Sequence, residues 1–326
     1  MTDEAVVVKN LTKRFDEVQA VKGISFDIHR GELFGLLGPN GAGKTTTINM
    51  LTGLARPESG VFRICGVDCT RKTRSAQHLM GVVPDESNLY PELTGFENLC
   101  FCAALYGMRR EERQERAWSL LKDFGLKEAA ERRFGGYSKG MKRKLTIAAG
   151  IIHKPEILFL DEPTTGIDVA SARQLRQLIS DLHDSGTTIL LTTHYIEEAE
   201  RLCDRIAFIV SGRIVRIDSV ENLVQPLQSS HVLEISCEET LPGELQQALA
   251  ASFPQLVVLP PGHGTVRVES NGPIRVAPLV RFLEEGGYTV SEARRVRTSL
   301  EDVFVRVTGI ETKQMRAEKN MRSGRP

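Results

Sequence analysis

The sequence predicts an α/β fold in which a parallel sheet carries an inserted helical subdomain, followed by a small ferredoxin-like α+β domain. Three observations support this fold. Over residues 1–222, apolar runs of strand length alternate with segments of helical periodicity. A mainly helical block at about 86–155 interrupts that alternation. After a predicted linker at 223–230, strand and helix patterns follow the order βαββαβ over 231–310, before a basic tail at 311–326.

The composition is typical of a folded globular protein. The 326 residues include 42 Lys and Arg and 42 Asp and Glu, so the formal net charge is zero, and 41% are hydrophobic. This balance excludes wholesale disorder and argues against a dedicated nucleic-acid binder, which usually carries a basic excess. No apolar run reaches the roughly 18 to 20 residues that span a bilayer, and the N-terminus lacks a secretory signal pattern. We therefore expect a cytoplasmic protein whose 6 cysteines are mostly buried, reduced thiols rather than a metal or redox site.

The elements of the core are predicted in order along the chain. Val6–Val8, Ile24–Ile28 and Leu33–Leu37 are typical of strands near the N-terminus. Ile157–Leu160 and Thr188–Thr192 are largely apolar runs, as expected for strands covered by helices on both faces. Between these two runs, apolar residues recur at helical spacing before a glycine: Ala172, Leu175, Leu178, Ile179, Leu182 and Gly186. Strand, helix and strand in this order indicate a βαβ unit and hence a parallel sheet.

Helical patterns dominate the inserted block and recur in the C-terminal region. The block contains a charged segment, MRREERQERAWSLL, which we interpret as the solvated face of a helix, with a binding surface as the alternative. The C-terminal elements are predicted at Val232–Ser236, Gly243–Ala251, Leu256–Leu259, Thr265–Glu269, Ile274–Glu285 and Tyr288–Val296. A last helix follows, with Thr298 and Glu301 at the spacing of a capping box. Pro226 and a serine pair indicate the linker before this region.

The strongest functional signal is the string Gly38–Thr45, which has the pattern G-x-x-x-x-G-K-T. It follows the predicted strand Leu33–Leu37 and precedes the helical pattern Thr46–Leu51, the context expected of a phosphate-binding P-loop. Its glycines let successive backbone N–H groups converge on one anion, and the helix N-terminus adds the positive end of a dipole. Lys44 would reach the outer phosphates of a nucleotide, and the Thr45 hydroxyl would bind Mg²⁺. A plain glycine-rich turn is the alternative.

Polar side chains also follow the two later predicted strands. Asp161 and Glu162 come directly after the first of these strands, and His194 lies just beyond the second. Because ligands bind at the carboxyl ends of parallel strands, we expect these residues at the same sheet edge as the P-loop. Asp161 is a candidate Mg²⁺ ligand, Glu162 a candidate base for the attacking water, and His194 a candidate donor to the γ-phosphate. A structural or surface histidine is the alternative for His194.

These motifs resemble those of the ATP-binding subunits of ABC transporters over residues 5 to about 222. The matching segments are Walker A (Gly38–Thr45), the signature segment (Tyr137–Met141), Walker B (Ile157–Asp161), the D-loop (Thr165–Asp168) and the switch histidine, His194. The resemblance implies a P-loop NTPase core that binds ATP through Phe15, Gly38, Asn40, Gly41, Ala42, Gly43, Lys44, Thr45 and Thr46. Phe15 occupies the position at which the family stacks an aromatic ring on adenine, with a plain core phenylalanine as the alternative.

The resemblance also implies roles for the remaining site residues. Glu162 and His194 would be catalytic, and the metal would be held by Thr45, Asp161 and Asp85. In the family, the signature segment completes the ATP site of the other subunit. The residues expected to do this here are Ser138, Lys139 and Gly140, with Asp168 in the D-loop. Ser138 is also predicted to cap the helix that begins near Lys139, whose N-terminus is an anion site.

Three positions depart from the family pattern. Lys139 and Met141 replace the Gly and Gln of the commonest form of the signature, while Ser138 and Gly140 are retained. Asp85 stands where the family normally has a Gln that contacts Mg²⁺ and the attacking water. A carboxylate is a good ligand for a hard cation, but it is shorter than Gln and adds negative charge near the phosphates. Asp85 is therefore either a metal or water ligand or a plain loop residue.

By this resemblance, the chain is expected to be an ATPase that uses MgATP and dimerises head to tail around two ATP molecules. By the family pattern it would drive a separate integral membrane permease in export, and it would lie on the inner face of the cell membrane through that permease. The contact surface is expected near Asp85–Asn98 and the helical block, with no nucleic-acid partner. The end of the chain, Ser299–Gly309, resembles the extra domain of drug- and lipid-exporter types, which we expect to be regulatory or dimer-stabilising rather than ligand-sensing.

Two other functions fit the same motifs less well. One is a soluble ABC-type ATPase that acts as a switch on a cytoplasmic machine, although the chain has a single nucleotide-binding domain and no net charge. The other is a binding module without catalysis, and Asp85 is the only observation in its favour.

Overall fold

The computed structural model describes residues 4–70, 73–228, 231–259, 264–270, 272–296 and 299–310. The chain divides into two compact units. The first runs to Val220 and includes residues 307–310, and the second is Glu221–Arg306. The first unit contains two sheets and the second unit one.

The first unit contains ten strands and six α-helices among its described residues. Its strands are β1 (Glu4–Phe15), β2 (Val18–His29), β3 (Leu33–Leu37), β4 (Ser59–Ile64), β5 (Val67–Asp68), β6 (Met80–Val83), β7 (Ile157–Asp161), β8 (Thr188–Thr193), β9 (Arg205–Val210) and β10 (Arg213–Ser219). Its helices are α1 (Lys44–Thr52), α2 (Gly95–Leu105), α3 (Arg110–Asp123), α4 (Lys139–Gly150), α5 (Val169–Asp184) and α6 (Ile196–Leu202).

A six-stranded sheet in the order β10-β9-β3-β8-β7-β6 forms the centre of this unit. All of its pairings are parallel except that of β9 with β10. Every residue of β3, β7 and β8 is buried, which explains the apolar runs at their centres. The predicted parallel α/β core is therefore confirmed. Because the carboxyl ends of β3, β7 and β8 lie side by side, the loops that follow them meet at one edge.

The N-terminal strands belong to a different sheet, antiparallel and in the order β2-β1-β4-β5. Sequence reasoning located parts of β1 and β2 but did not separate this sheet from the parallel one. Both strands are 12 residues long and are interrupted by register shifts. The two sheets share one hydrophobic cluster, in which the rings of Phe26 on β2 and Phe34 on β3 stack with centroids 5.4 Å apart. This packing fixes the antiparallel sheet beside the P-loop strand β3.

Helices α2, α3 and α4 form the predicted helical insertion between β6 and β7. Thr94 and Glu97 form a capping box at the start of α2, and Ser138 caps α4 by accepting a hydrogen bond from the Met141 N–H at 3.2 Å. Helix α3 buries Ala117, Leu120 and Leu121 and exposes most of its charged residues. The charged segment is therefore largely the solvated face of a helix, as interpreted from the sequence.

The second unit is a four-stranded antiparallel sheet with two helices between its strands. Its elements are α7 (Val220–Gln228), β11 (His231–Cys237), α8 (Glu244–Ser252), β12 (Val257–Val258), β13 (Thr265–Ser270), α9 (Val276–Glu285), β14 (Val290–Val296) and α10 (Leu300–Thr308). The strand order β12-β13-β11-β14 places β13 antiparallel between β11 and β12. This is the split βαβ arrangement of ferredoxin-like folds, which confirms the predicted βαββαβ domain.

One local prediction differs from the structure, and a second falls on a residue outside its described part. The predicted linker at 223–230 is wrong for most of its length, because α7 includes Pro226 and extends to Gln228; residues 229 and 230 lie outside the described residues. Thr298 also lies outside them, so the proposed capping box with Glu301 is not seen. Instead the Asp302 carboxylate accepts hydrogen bonds from the Ser299 N–H at 3.0 Å and the Ser299 hydroxyl at 3.1 Å.

No helix in the described part of the chain has the length and apolar character needed to cross a bilayer. The six cysteines carry free thiols, and three of them, Cys69, Cys203 and Cys237, are buried. Burial raises the pKa of these three thiols, which keeps them protonated and unreactive.

Candidate functional site

The P-loop lies between β3 and α1, and close backbone packing fixes its shape. A Cβ atom added to Gly38 would lie 2.0 Å from the Ile209 carbonyl oxygen, and one added to Gly43 would lie 2.6 Å from that of Ala20. Gly43 also has φ +103°, in the left-handed region that favours glycine. No side chain caps the start of α1. The first turn of this nine-residue helix therefore offers its N–H groups to an anion.

The Lys44 ammonium is held at the mouth of this loop and is almost fully buried, with 4% of its surface exposed. It donates hydrogen bonds to the carbonyl oxygens of Gly38 at 2.8 Å and Pro39 at 3.1 Å. Its Nζ also lies 3.1 Å from Glu162 Oε1, so the ammonium joins the P-loop to the segment after β7. A cation in this position can bind phosphate oxygens that enter the loop.

Two hydroxyl groups converge on Asp161 at the end of β7. Thr45 donates to Asp161 Oδ1 at 3.2 Å, and Thr192 donates to the same oxygen at 2.5 Å. The second bond follows from the parallel pairing of β7 with β8, which sets Asp161 opposite Thr192. One carboxylate and one hydroxyl fit Mg²⁺, which binds through one or two protein oxygens and completes its shell with phosphates and water. Sequence reasoning missed Thr192, because no local pattern distinguishes it from other strand residues.

The Glu162 carboxylate forms a buried network with its neighbours. His194 Nδ1 lies 2.5 Å from Glu162 Oε2, and the Thr165 hydroxyl donates to that oxygen at 2.7 Å. Glu162 has φ +49°, an uncommon conformation for a non-glycine residue, and its N–H donates to Thr192. Burial by itself raises the pKa of Glu162, but His194, Lys44 and Thr165 outweigh it and lower the pKa to about 2. The carboxylate is therefore ionised at neutral pH.

Arg143 on α4 is a site residue that sequence reasoning missed. Its guanidinium donates to the carbonyl oxygens of Pro84, Asp85, Asp161, Glu162 and Pro163, and the bonds to Asp161 and Glu162 measure 2.6 and 2.8 Å. It therefore ties the segment after β6 to the segment after β7. Burial lowers its pKa, against the opposing effect of nearby carboxylates, but an arginine stays protonated. The sequence offers no signal for this role, since Arg143 lies in a basic run that is typical of a solvated helix start.

Asp85 follows β6, whose pairing with β7 sets Val83 opposite Leu160. Its backbone therefore lies at the same sheet edge as Asp161, and its carbonyl oxygen accepts a hydrogen bond from Arg143 at 2.9 Å. The Asp85 side chain is exposed. A role for this carboxylate in binding metal or water remains a prediction.

The remaining predicted residues lie at helix starts and at a strand end. Gly140 packs closely on α5, since a Cβ there would lie 2.6 Å from the Ser171 hydroxyl oxygen, while Ser138 and Lys139 are exposed. Asp168 caps α5 by accepting a hydrogen bond from the Ser171 N–H at 2.9 Å, which lowers the pKa of Asp168. Phe15 ends β1 with 49% of its surface exposed, and the Lys13 ammonium lies over its ring at 4.9 Å from the centroid.

Replacing Arg143 by leucine should destabilise the first unit by at least about 3 kcal/mol, because several buried carbonyl groups would lose their donor at about 1–3 kcal/mol each. Denaturant unfolding of the full chain measures this effect. The matched control is Arg201→Leu, whose exposed pair with Glu197 at 2.7 Å should contribute about 0–1 kcal/mol. Equal unfolding midpoints for the two variants would contradict the role assigned to Arg143.

The chain is similar to known proteins along most of its length. The ABC transporter family matches residues 21–165. The linearmycin resistance ATP-binding protein LnrL of Bacillus subtilis (strain 168) is 41% identical over 228 residues, which cover 70% of this chain and 73% of that protein. The Nod factor export ATP-binding protein I of Burkholderia orbicola (strain AU 1054) is 36% identical over 312 residues, which cover 93% of this chain and 96% of the relative.

Solved structures are similar to about two thirds of the chain. The structure of an ATP-binding subunit of an ABC transporter is 30% identical, with a TM-score of 0.62, and the match covers 68% of this chain and 92% of that one. A dimeric ATP-binding cassette in a post-hydrolysis state, bound to ADP and Pi, is 28% identical with a TM-score of 0.61, and the match covers 66% of this chain and 98% of that one.

Proposed function

We infer the function of this chain from its family, because it belongs to the ATP-binding subunits of ABC transporters. It binds ATP and hydrolyses it, and this hydrolysis powers transport. We propose, more specifically, that it drives a separate integral membrane permease of an export system. In that arrangement the chain lies at the inner face of the cell membrane through its permease. The single observation behind the ATPase function is the cluster of Lys44, Asp161, Glu162 and His194 at the mouth of the P-loop. The export proposal rests on the named relatives.

In the proposed complex, the ATP phosphates bind to the N–H groups between Gly38 and Thr46 and to the Lys44 ammonium. Adenine stacks on the exposed ring of Phe15. The oxygens of Thr45 and Asp161, with Asp85 as a further candidate, would hold Mg²⁺, which when bound neutralises charge on the phosphate oxygens. This set fits the donors found at the site, because hard oxygen ligands suit a hard cation.

The proposed chemical step uses an exchange of partners around Glu162. Lys44 and His194 both contact its carboxylate, and both are candidate ligands of phosphate oxygens. Once they bind phosphate, the Glu162 carboxylate is free to accept a proton from the water that attacks the γ-phosphate. His194 then donates a hydrogen bond to the phosphate, where negative charge develops. ATP binding itself would therefore assemble the catalytic arrangement.

We propose that two copies close head to tail around two ATP molecules. The start of α4, with Ser138, Lys139 and Gly140, would then face the γ-phosphate held by the other copy. Ser138 and Lys139 are exposed, and a 12-residue helix presents the positive end of a dipole. Lys139 adds a further positive charge in this position. Asp168, at the start of α5, would lie in the same interface. The dimeric cassette that resembles this chain supports such pairing.

The permease contact is proposed at Asp85–Asn98 and the adjoining helices α2 to α4. Arg143 supports this choice, because it bonds to the backbone of Pro84 and Asp85 and also to that of Asp161 and Glu162. A movement at the permease surface would therefore be transmitted through Arg143 to the backbone of Asp161 and Glu162. Export is proposed because two relatives are named for linearmycin resistance and for Nod factor export. For the ferredoxin-like domain we propose a regulatory or dimer-stabilising role.

Affinity purification tests the permease proposal. The Glu162→Gln chain, purified with ATP from detergent-solubilised source cells, should retain a polytopic membrane protein in stoichiometric amount. The matched control is the Glu156→Gln chain, which carries the same type of substitution at an exposed glutamate that pairs with Arg30. This chain should behave as wild type. Recovery of ribosomal or other soluble components without a membrane protein would instead favour a soluble ATPase switch.

A further inference from the structure

Glu198 is a buried carboxyl group that the mechanism above does not use. It lies on α6, shortly after His194, and only 2% of its surface is exposed. Neither of its carboxyl oxygens makes a hydrogen bond of normal geometry with any described residue. A buried carboxylate without partners costs several kcal/mol, so this position strongly favours the neutral acid. The structure therefore poses the question of what this acid does there.

Two threonine hydroxyls lie near the Glu198 carboxyl group, those of Thr193 and Thr164. Thr193 ends β8 next to His194, and its carbonyl oxygen accepts a hydrogen bond from the Gly38 N–H of the P-loop at 3.3 Å. Its hydroxyl already accepts from the Tyr195 N–H at 3.0 Å, which leaves the hydroxyl proton for another acceptor. Thr164 is buried and lies between Glu162 and Thr165, the residue that bonds to the Glu162 carboxylate.

The charged groups around Glu198 come from the neighbouring helices and loops. Burial raises the pKa of Glu198, while the two hydroxyls and Arg176 on α5 lower it and the Glu162 carboxylate raises it. The charge of Glu198 also acts to raise the pKa of Arg143 on α4 and the pKa of the buried Cys203 thiol. An ionised Glu198 would thus place a second negative charge near Glu162.

We propose that Glu198 is a positioning residue for ATP hydrolysis, which as the neutral acid packs between the Thr164 and Thr193 hydroxyls and so holds the segment after Glu162 against the segment before His194. This inference rests on the proposed function, in which Glu162 and His194 act on the same phosphate. The neutral acid has one donor and one acceptor, which matches two hydroxyls. Loss of the proton removes the donor and adds a negative charge, and both changes disturb the alignment of the two residues.

Steady-state ATPase kinetics of the full chain between pH 6 and 9 test the proposal. The variants are Glu198→Gln, which stays neutral with a donor and an acceptor, and Glu198→Ala, which removes both. Glu197→Gln is the matched control, because this side chain is on the same helix and 77% exposed. Glu198→Ala should lower kcat about tenfold with little change in KM, less than the roughly hundredfold loss for a 1 Å misplacement.

The pH profile separates a positioning role from a merely structural one. In wild type and in Glu197→Gln, kcat should fall as the pH rises through the pKa of Glu198. In Glu198→Gln that fall should disappear, so the ratio of its kcat to that of wild type increases towards pH 9. Thermal unfolding gives an independent measurement. An acid with a raised pKa loses stability as the pH rises from its unfolded to its folded pKa, so the Tm of Glu198→Gln relative to wild type should increase with pH across that window.

Three outcomes would overturn the proposal: parallel pH profiles for wild type and Glu198→Gln, a Glu198→Gln chain as slow as Glu198→Ala, or an unchanged kcat in a folded Glu198→Ala chain. If Glu198→Ala does not fold, the comparison of wild type with Glu198→Gln decides alone. Failure of the proposed function is seen separately, because turnover would then survive in Glu162→Gln. If Glu162→Gln abolishes turnover while the Glu198 variants match wild type, only the role of Glu198 is refuted.

Discussion

Replacing Lys44 by alanine should weaken MgATP binding by roughly ten- to a hundredfold, since a hydrogen bond to a charged group contributes about 1.5–3 kcal/mol. The ammonium is buried at the P-loop and bonds to two carbonyl oxygens of the loop itself, so it is held where phosphate would bind. Its loss also removes one of the partners of the Glu162 carboxylate. Both effects act at the same edge of the parallel sheet.

Isothermal titration calorimetry with MgATP measures this change directly. The matched control is Lys144→Ala, which removes a lysine that bonds to Gln174 on the surface at 2.9 Å and should leave affinity unchanged. Circular dichroism should show both variants folded. Wild-type affinity in the Lys44→Ala chain would refute the assignment of this loop to phosphate binding.

Replacing Glu162 by glutamine should lower kcat for ATP by about 10²- to 10⁴-fold, the range expected for loss of a general base. Glutamine keeps the size of the side chain but cannot accept the proton of the attacking water. ATP binding should persist, because the P-loop and Lys44 are intact. The chain should therefore accumulate as an ATP-bound dimer, since the step that would reopen it is blocked.

Two measurements on this variant answer different questions. The rate of phosphate release tests the base, and size-exclusion chromatography with light scattering in the presence of ATP tests the dimer. The Glu156→Gln chain, altered at an exposed glutamate that pairs with Arg30, should show wild-type turnover. An ATP-loaded Glu162→Gln monomer would count against the proposed pairing, whereas undiminished turnover would count against Glu162 as the base.

Much of the fold could be predicted because its signals are local. Strand β3 was located with its bounds, and β7 and β8 within one residue, since each is buried on both faces and has an apolar centre. The ferredoxin-like order followed from alternating strand and helix patterns. The antiparallel sheet of β1, β2, β4 and β5 could not be separated in this way, because the partner of a strand depends on residues distant in the chain. Helix α7 was missed because Pro226 indicated a linker, although the helix forms around it.

The sequence by itself determined the P-loop, the acidic pair after β7 and the histidine after β8, because each is a short string next to a recognisable strand. The tertiary structure decided which other side chains complete that edge. Thr192 reaches Asp161 only through strand pairing, Arg143 reaches five carbonyl oxygens from an inserted helix, and Glu198 is buried near Thr164 and Thr193. The physical reason is that periodicity and motif spacing are properties of neighbouring residues. Desolvation and hydrogen bonding depend instead on groups that only folding brings together.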